Sequence, residues 1–331
     1  TRVKLLPAFL NLFNGRSYNI DRFFSKAFEA ALIRKLQAEK FDVIHLESLY
    51  MTPYLPVIRR FSDAPVVLRA HNVEHLLWQR QAKTATTFGK KKYFGFLAKR
   101  LEVYEKSAIN RVDGIACITT DDEQLFQRFA PAVPTAYIAY GLKLPEKSNS
   151  AFLGNTVFHI GAMDWQPNID GVNWLLQEVW PRIRAKNETA ALHLAGRNML
   201  PELRNLKTAG IHIHGEVKDA HDFMRNYQVM AVPLLSGGGM RIKIAEGMAL
   251  GKAIVSTHTG TEGIPVADQK QVLLADDASA FANCILELLA DKHKTASLGN
   301  EAAIFAGEYF DRSRITGKLL DFYSRLISEK K

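Results

Sequence analysis

The segment Val232-Pro-Leu-Leu-Ser-Gly-Gly-Gly-Met-Arg-Ile-Lys-Ile-Ala-Glu-Gly-Met-Ala-Leu-Gly-Lys-Ala-Ile-Val-Ser256 decides the fold. It reads as a strand, a triple-glycine loop, a helix from Arg241 to Leu250, a glycine stop and a second strand. Gly237, Gly238 and Gly239 let backbone amides come close to a ligand. The helix that follows presents unpaired N–H groups and the positive end of its dipole to an anion. Arg241 and Lys243 fall in its first turn, where cations oppose the dipole, so a bound anion would relieve a local penalty. Glu246 lies one turn further on and can accept hydrogen bonds from sugar hydroxyls. The plainer alternative is a tight turn whose charges are merely solvated.

The same alternation of short apolar strands with helices runs outward in both directions, the pattern of parallel βαβ units. Upstream, strands are expected at Val157–Ile160, Ala191–Ala195, Ile211–His214 and Val229–Val232, with helices at Gly171–Arg184, Pro201–Lys207 and Ala220–Tyr227. Downstream come strands Ala253–Ser256 and Val272–Leu274, then helices Ala278–Ala290, Lys294–Ala306 and Arg312–Ser328. Pro145–Gly154 loses all periodicity and reads as a linker. Before it lie an amphipathic helix over Asp21–Lys40, strands Val43–Leu46, Val66–Ala70, Gly114–Ile118 and Ala136–Ala139, and helices Tyr54–Phe61, Tyr93–Asn110 and Glu123–Phe129. These elements give two doubly wound α/β domains, 1–147 and 148–310, followed by a C-terminal helix at 311–331. The second half has about six strands and the first about four, fewer than a Rossmann-like sheet requires. Residues 1–20 show no strand and glycine turn of their own, so the N-terminal domain is expected to be incomplete at its start.

A length of 331 residues suits two domains, and 47% hydrophobic with 23% charged residues is ordinary for a globular chain. No apolar run reaches the ~20 residues of a membrane span, and no secretory leader opens the chain. Cys117 and Cys284 are too few for a disulfide framework or a cysteine metal site, and they read as core thiols of a reducing compartment. The expectation is a cytoplasmic protein, with peripheral contact at the inner face of the membrane as an option. A formal charge of +9 favours anionic partners, but no nucleic-acid module accompanies it, so no nucleic-acid partner is expected.

The glycine loop and the helix Glu246-Gly-Met-Ala-Leu-Gly-Lys-Ala-Ile-Val255 resemble the donor-site signature of the group 1 (family 4) glycosyltransferases. Glu246 matches the second carboxylate of that family's paired-glutamate motif, to which the resemblance assigns the nucleotide ribose. The first carboxylate would fall at Gly238, so the chain is similar to the branch with a Gly-Gly-Gly-x-Arg-x-Lys loop. Contacts to the donor sugar then come from the amides of Gly238, Gly239 and Met240. Phe158-His-Ile-Gly161 and the loop to Asn168 resemble the first strand and loop of the C-terminal domain. Where many members carry a phosphate-binding Arg and Lys, this loop has Met163, Asp164 and Trp165, which passes the diphosphate to Arg241 and Lys243. Ala195-Gly-Arg197-Asn resembles the next strand end, His214-Gly-Glu-Val217 the nucleobase loop, and Gly260-Thr261-Glu262-Gly263 the loop that closes over the donor. Their succession at strand C-termini is where open α/β sheets bind ligands.

In the first half, Arg69-Ala-His-Asn-Val-Glu-His75 ends a strand and opens a helix. By resemblance His71 matches a histidine near the donor phosphate and the acceptor; the alternative is a helix-capping or core histidine. The same letters satisfy His-x-x-Glu-His, a zinc motif that would require His71 and His75 on one helical face. His45-Leu-Glu47 ends a strand and can line an acceptor site or serve the structure alone. Thr119-Thr-Asp-Asp122 also suits a plain N-cap. Lys90–Arg100 mixes cations with aromatics, which suits an anionic membrane or a lipid-linked acceptor as well as a solvated helix start.

The resemblance implies a GT-B fold, two Rossmann-like domains facing across a cleft. It implies transfer of a sugar from a nucleotide-diphosphate donor to a hydroxyl of a saccharide or lipid-linked acceptor, with retention, in polysaccharide or glycolipid synthesis. Arg241, Lys243 and the loop amides stabilise the departing diphosphate without an essential metal or a cofactor, and His71 faces them. Two rivals stay open, a GT-B sugar-nucleotide epimerase and a non-catalytic remnant that binds nucleotide sugar. A dinucleotide dehydrogenase is disfavoured because no Gly-x-Gly-x-x-Gly follows a strand.

Overall fold

The computed structural model describes residues 17–85, 87–144, 154–237 and 240–330. The chain divides into two compact units, Thr1–Ala139 with Thr316–Lys331, and Tyr140–Ile315. The expected boundary at 147/148 falls among residues 145–153, which lie outside the described residues, as do residues 1–16 of the opening segment.

The first unit runs α1 (Tyr18–Asp21), α2 (Lys26–Ala38), β1 (Ile44–Glu47), a 3₁₀ turn (Leu49–Tyr54), α3 (Leu55–Phe61) and β2 (Val66–Ala70). It continues through α4 (Glu74–Thr84), α5 (Phe88–Ile109), β3 (Gly114–Cys117), α6 (Thr120–Phe129) and β4 (Thr135–Tyr137). Its strands form a parallel sheet in the order β1-β2-β3-β4. The register sets Glu47 beside Arg69 at the strand ends. Val66, Val67, Ile115, Ala116 and Cys117 have no exposed surface, as parallel strands covered on both faces require.

The single helix expected over Asp21–Lys40 is corrected to two. Asp21 ends α1, and Ser25 in extended geometry starts α2, its hydroxyl accepting the Phe28 amide at 3.4 Å. Serine offers a helix its first acceptor only from such a non-helical conformation, so the helical pattern breaks there. Phe24 and Phe28, read as core positions, are 40% and 44% exposed and lie against the ring of Tyr54. The start of α4 is held by a buried carboxylate from another helix. Glu105 accepts the amides of Glu74 and His75 at 2.9 and 3.0 Å and bonds His75 Nδ1 at 2.6 Å. Three hydrogen bonds offset the burial of that charge, which an apolar site alone would penalise.

The second unit contains β5 (Thr156–Ile160), α7 (Gln166–Trp174), a π turn (Leu175–Val179), α8 (Trp180–Lys186), β6 (Ala191–Ala195), α9 (Pro201–Arg204) and β7 (Ile211–Gly215). Then follow α10 (Ala220–Arg225), β8 (Val229–Val232), α11 (Ile242–Ala249), β9 (Ala253–Ser256), β10 (Leu273–Leu274), α12 (Ala278–Ala290) and α13 (Lys292–Tyr309). The helix expected over Gly171–Arg184 starts earlier, at Gln166, with Pro167 in its first turn, and it passes through the π turn. Pro181 has no N–H and its ring crowds the carbonyl four residues back, which widens the turn before it.

The six-stranded parallel sheet has the order β10-β9-β8-β5-β6-β7. Chain direction across the sheet reverses between β5 and β8, and such a switch point opens a crevice at the carboxyl ends of the strands. The last helix, α14 (Arg312–Glu329), leaves this unit and from Thr316 onward belongs to the first. There Phe322 and Leu326 lie over Gly114 of β3. No helix among the described residues is long and apolar enough to cross a membrane.

Candidate functional site

A cavity of about 530 Å³ opens at the switch point of the six-stranded sheet. Its walls come from the end of β5 and the loop after it (His159, Ile160, Ala162, Asp164, Trp165, Asn168), from Arg197 after β6, and from Met240, Arg241 and Lys243 at the start of α11. Arg241 is the N-cap of α11 and lays its guanidinium over the Trp165 ring, 4.9 Å from the centroid. That placement combines cation–π attraction with a fixed direction for the charge. Gly237, at φ +122°, lies behind both side chains. A β-carbon there would fall 2.6 Å from Arg241 Nη2 and 3.1 Å from the Trp165 ring, so a side chain would have to displace both, and the positive φ itself favours glycine.

Lys243 is half-buried and donates from Nζ to the Ile160 carbonyl at 3.2 Å. Burial lowers its pKa, the Glu246 and Asp164 carboxylates oppose the change, and Arg197 adds to it. Arg197 is well exposed, 3.9 Å from Asp164, and Asn198 donates to the same carboxylate at 2.9 Å. Three cations against one carboxylate give the cavity a positive balance, in a setting where water is partly excluded and charge acts at longer reach.

Of the residues expected at a donor site, Met240, Arg241, Lys243 and Arg197 line this cavity, and Gly161 sits between two of its lining residues. Gly238 and Gly239 lie outside the described residues. Glu246 is on the next turn of α11, where its carboxylate is 3.4 Å from His221 Nε2 of α10. Val217 follows β7 beyond Gly215, which has φ +67°. Thr261 is buried, its hydroxyl donating to the His258 carbonyl at 3.2 Å, with Glu262 next in the same turn. Glu246, Val217, Thr261 and Glu262 are not among the cavity's lining residues.

His159 and Trp165 line the cavity without having been given a site role in the sequence reading. His159 is 3% exposed, donates from Nδ1 to the Ala231 carbonyl at 3.0 Å, and has its pKa lowered to about 4 by burial. It is therefore neutral, and its Nε2 is a buried acceptor without a hydrogen-bond partner among the described residues. The only sequence signal was a histidine in an otherwise apolar buried strand. Trp165 was quoted as a replacement for a family cation, but its role as the platform for Arg241 needs the fold.

In the first unit the ends of β1 and β2 carry a separate cluster. His71 follows β2, with Val73 rather than His71 as the N-cap of α4, and it is neither a cap nor a core residue. Its Nε2 bonds Glu47 Oε1 at 2.7 Å, while His45 Nε2 bonds Glu47 Oε2 at 2.9 Å. Burial works to raise the Glu47 carboxyl, but the two imidazole hydrogen bonds outweigh it and hold the group below its usual range. His75 is committed to Glu105 on the buried side of α4, so the two histidines of the zinc pattern serve different partners. Thr119 accepts the Asp122 amide at 3.1 Å as the N-cap of α6.

Two family models divide the chain between them. The one described as Glycosyl transferase 4-like domain matches residues 7–141, and Glycosyl transferases group 1 matches 154–291. Each model covers less than half of the chain, and both describe glycosyltransferase domains. A Klebsiella pneumoniae relative, an uncharacterized 44.6 kDa protein in the cps region, is 23% identical over 291 residues, 84% of this chain and 73% of that protein.

Among solved structures, Anabaena HepE in complex with UDP aligns with a TM-score of 0.68 at 14% identity, over 90% of this chain and 82% of that one. A variant of S. aureus TarM, in complex with Fondaparinux, alpha-GlcNAc-glycerol and UDP, aligns at 0.65 and 16% identity, over 89% of this chain. The chain spans 58% of the length of that TarM structure. Sucrose-phosphate synthase from Thermosynechococcus elongatus aligns at 0.66 and 18% identity, over 91% of this chain and 78% of that one. Likeness at these identities carries the fold, and with the two parallel α/β sheets it makes this chain a GT-B protein.

Proposed function

We propose that this chain moves a sugar from a nucleoside diphosphate donor to an acceptor hydroxyl, with retained anomeric configuration, in polysaccharide or glycolipid synthesis. The observation that carries the reading is the meeting of Arg241 and Lys243 with the start of α11 in one cavity at the switch point. A leaving diphosphate accumulates negative charge as the anomeric bond breaks, and fixed cations with helix N–H groups stabilise that charge. In this reading Glu246 holds the ribose, Val217 borders the base, Thr261 and Glu262 close over the donor, and the Gly238, Gly239 and Met240 amides meet the sugar. The chain's own cations supply the positive charge, so the proposal includes no metal and no cofactor. UDP is the first diphosphate to try, because the HepE and TarM structures hold it.

A thermal-shift screen against UDP, GDP and ADP, with and without EDTA, tests this. A nucleoside diphosphate at about 100-fold over its Kd should stabilise by ~2.7 kcal/mol, seen as a shift of several degrees that EDTA leaves unchanged. Glu246→Ala should shrink the shift. No shift with any diphosphate, in a folded protein, rejects the donor site.

The acceptor proposal extends to a lipid-linked saccharide at an anionic membrane. On α5, Phe88 is 74% exposed, Val103 68% and Phe96 38%, with Lys92 over the Phe88 ring and Arg100 over the Phe96 ring. Lys90, Lys91 and Lys99 are exposed along the same helix. Exposed rings among cations suit an interface of acyl chains and anionic headgroups. Sedimentation with phosphatidylserine-containing vesicles should capture the protein at low salt, and Lys90, Lys91 and Lys92 changed together to Glu should abolish capture. Equal recovery with neutral vesicles would count against the proposal.

A further inference from the structure

His193, His214 and Tyr227, none of which lines the donor cavity, meet beside β6 and β7 of the second unit. His212 and His214 stand two apart on β7, a spacing that in a regular strand puts both on one face. His193 of β6 pairs with His212 in register, and the two rings stack with centroids 4.6 Å apart. The register then slips: Leu194 faces Ile213 but Ala195 faces Gly215, so His214 is the extra residue of a bulge. A bulge re-aims the side chain it carries. Here it brings His214 Nε2 to 3.0 Å from His193 Nδ1. The Tyr227 hydroxyl completes a triangle, 3.1 Å from His193 Nδ1 and 3.5 Å from His214 Nε2. Tyr227 is fixed from behind, its ring against Phe158 and Phe223 and its carbonyl accepting from the Nζ of the buried Lys252 at 2.7 Å. His214 is exposed, so the triangle is reached from its side.

The edges of that triangle decide what it can hold. Zinc binds imidazole nitrogen at ~2.0 Å in a tetrahedron, whose neighbouring ligands stand ~3.3 Å apart, and the three edges bracket that separation. One hydrogen bridges only two of the three atoms, whereas a cation meets all three. Two imidazoles serve magnesium and calcium poorly and suit zinc and its first-row neighbours. We propose that His193 Nδ1, His214 Nε2 and the Tyr227 oxygen bind a divalent transition ion of the zinc class, with water in the fourth position. The phenol proton passes to solvent as its oxygen binds. Among the described residues no three His, Cys, Asp or Glu side chains form a metal-holding group, so the phenol is the necessary third ligand and His212 stays a stacked neighbour. The ion takes no part in sugar transfer. It fastens β7, an edge strand that pairs only with β6, to β6 and to the segment between α10 and β8.

The test uses the whole chain, stripped with EDTA and then titrated with Zn²⁺ in a calorimeter. One equivalent should bind, and at about 100-fold over its Kd the melting temperature should rise by roughly 5–10 °C. His214→Ala and Tyr227→Phe should each weaken that equivalent by more than ~10-fold, the loss that even an outer partner of a metal ligand causes. His212→Ala should leave it unchanged. Nitrogen-15 spectra of the native chain, which depend on no variant folding, should place the zinc on His193 Nδ1 and His214 Nε2. Cu²⁺ in place of zinc should give a visible phenolate charge-transfer band that Tyr227→Phe removes. Binding that survives His214→Ala or Tyr227→Phe, an equal loss with His212→Ala, or zinc seen only on other imidazoles overturns the site. So does the absence of zinc binding by the folded chain. None of these readouts depends on sugar transfer.

Discussion

Lys243→Ala should lower sugar transfer by about 10²- to 10³-fold, the loss seen when one fixed donor to developing negative charge is removed. The Nζ of Lys243 spends one of its three hydrogens on the Ile160 carbonyl and has two left for the cavity. It stands in the second position of α11, where the helix dipole disfavours a cation until an anion arrives. Burial lowers its pKa, and a diphosphate between Lys243 and Arg241 would favour the charged form. The free-energy gain is therefore concentrated on the phosphates. Calorimetry should show UDP weakened by ~1.5–3 kcal/mol in the variant, as for a lost hydrogen bond to a charged group, with uridine nearly unaffected. Lys243→Arg should recover little, because the forked guanidinium cannot hold the Ile160 carbonyl in the same geometry. Equal losses for UDP and uridine would sink the phosphate role.

That site was half legible before the fold was known. Glycine, cation and carboxylate spacing around Arg241, Lys243 and Glu246 is local, so periodicity and helix-end chemistry expose it. The strands Val66–Ala70, Ala191–Ala195, Val229–Val232 and Ala253–Ser256 are found where their apolar runs place them, because parallel strands covered on both faces leave continuous hydrophobic sequence. What the sequence hides is made by register. Glu47 and His71 are 24 residues apart and meet only because β1 and β2 run side by side. His159 is a lone imidazole in an apolar strand, and its unsatisfied nitrogen shows only when its neighbours are in place. Local chemistry broke the periodic reading in two places. Ser25 restarts a helix that the apolar spacing carries straight through, and Pro181 turns a regular helix into a π turn.

Gly196→Ala should unfold or severely loosen the second unit. A β-carbon on Gly196 would lie 1.7 Å from the Gly161 carbonyl oxygen and 2.7 Å from its carbon, a clash with backbone that no rotamer relieves. Moving the two chains apart would break the bonds that lock them. Gly161 donates to the Ala195 carbonyl at 2.9 Å, Gly196 to the Gly215 carbonyl at 2.7 Å, and Met163 to the Arg197 carbonyl at 2.9 Å. These bonds tie together the ends of β5, β6 and β7, and the first two of those ends carry cavity residues. Overpacking against backbone with loss of such bonds belongs to the exceptional class of substitutions, above ~4 kcal/mol. For a unit of this size that is a fall of roughly 8–16 °C in Tm. Gly215→Ala is the matched comparison: nothing lies within 4 Å of its added carbon, and only its φ of +67° resists. Its cost should be ~1–2 kcal/mol, the ordinary penalty for a left-handed residue with a side chain. Urea unfolding of both variants separates the two sources of strain. If Gly196→Ala is no worse than Gly215→Ala, the strand ends can part without harm, and the precise spacing of the cavity walls is not what fixes Arg197 opposite Lys243. If the gap is as large as expected, variants that weaken donor binding from the β6 end should do so by moving Gly161 and the loop after it, with Arg241 and Lys243 untouched.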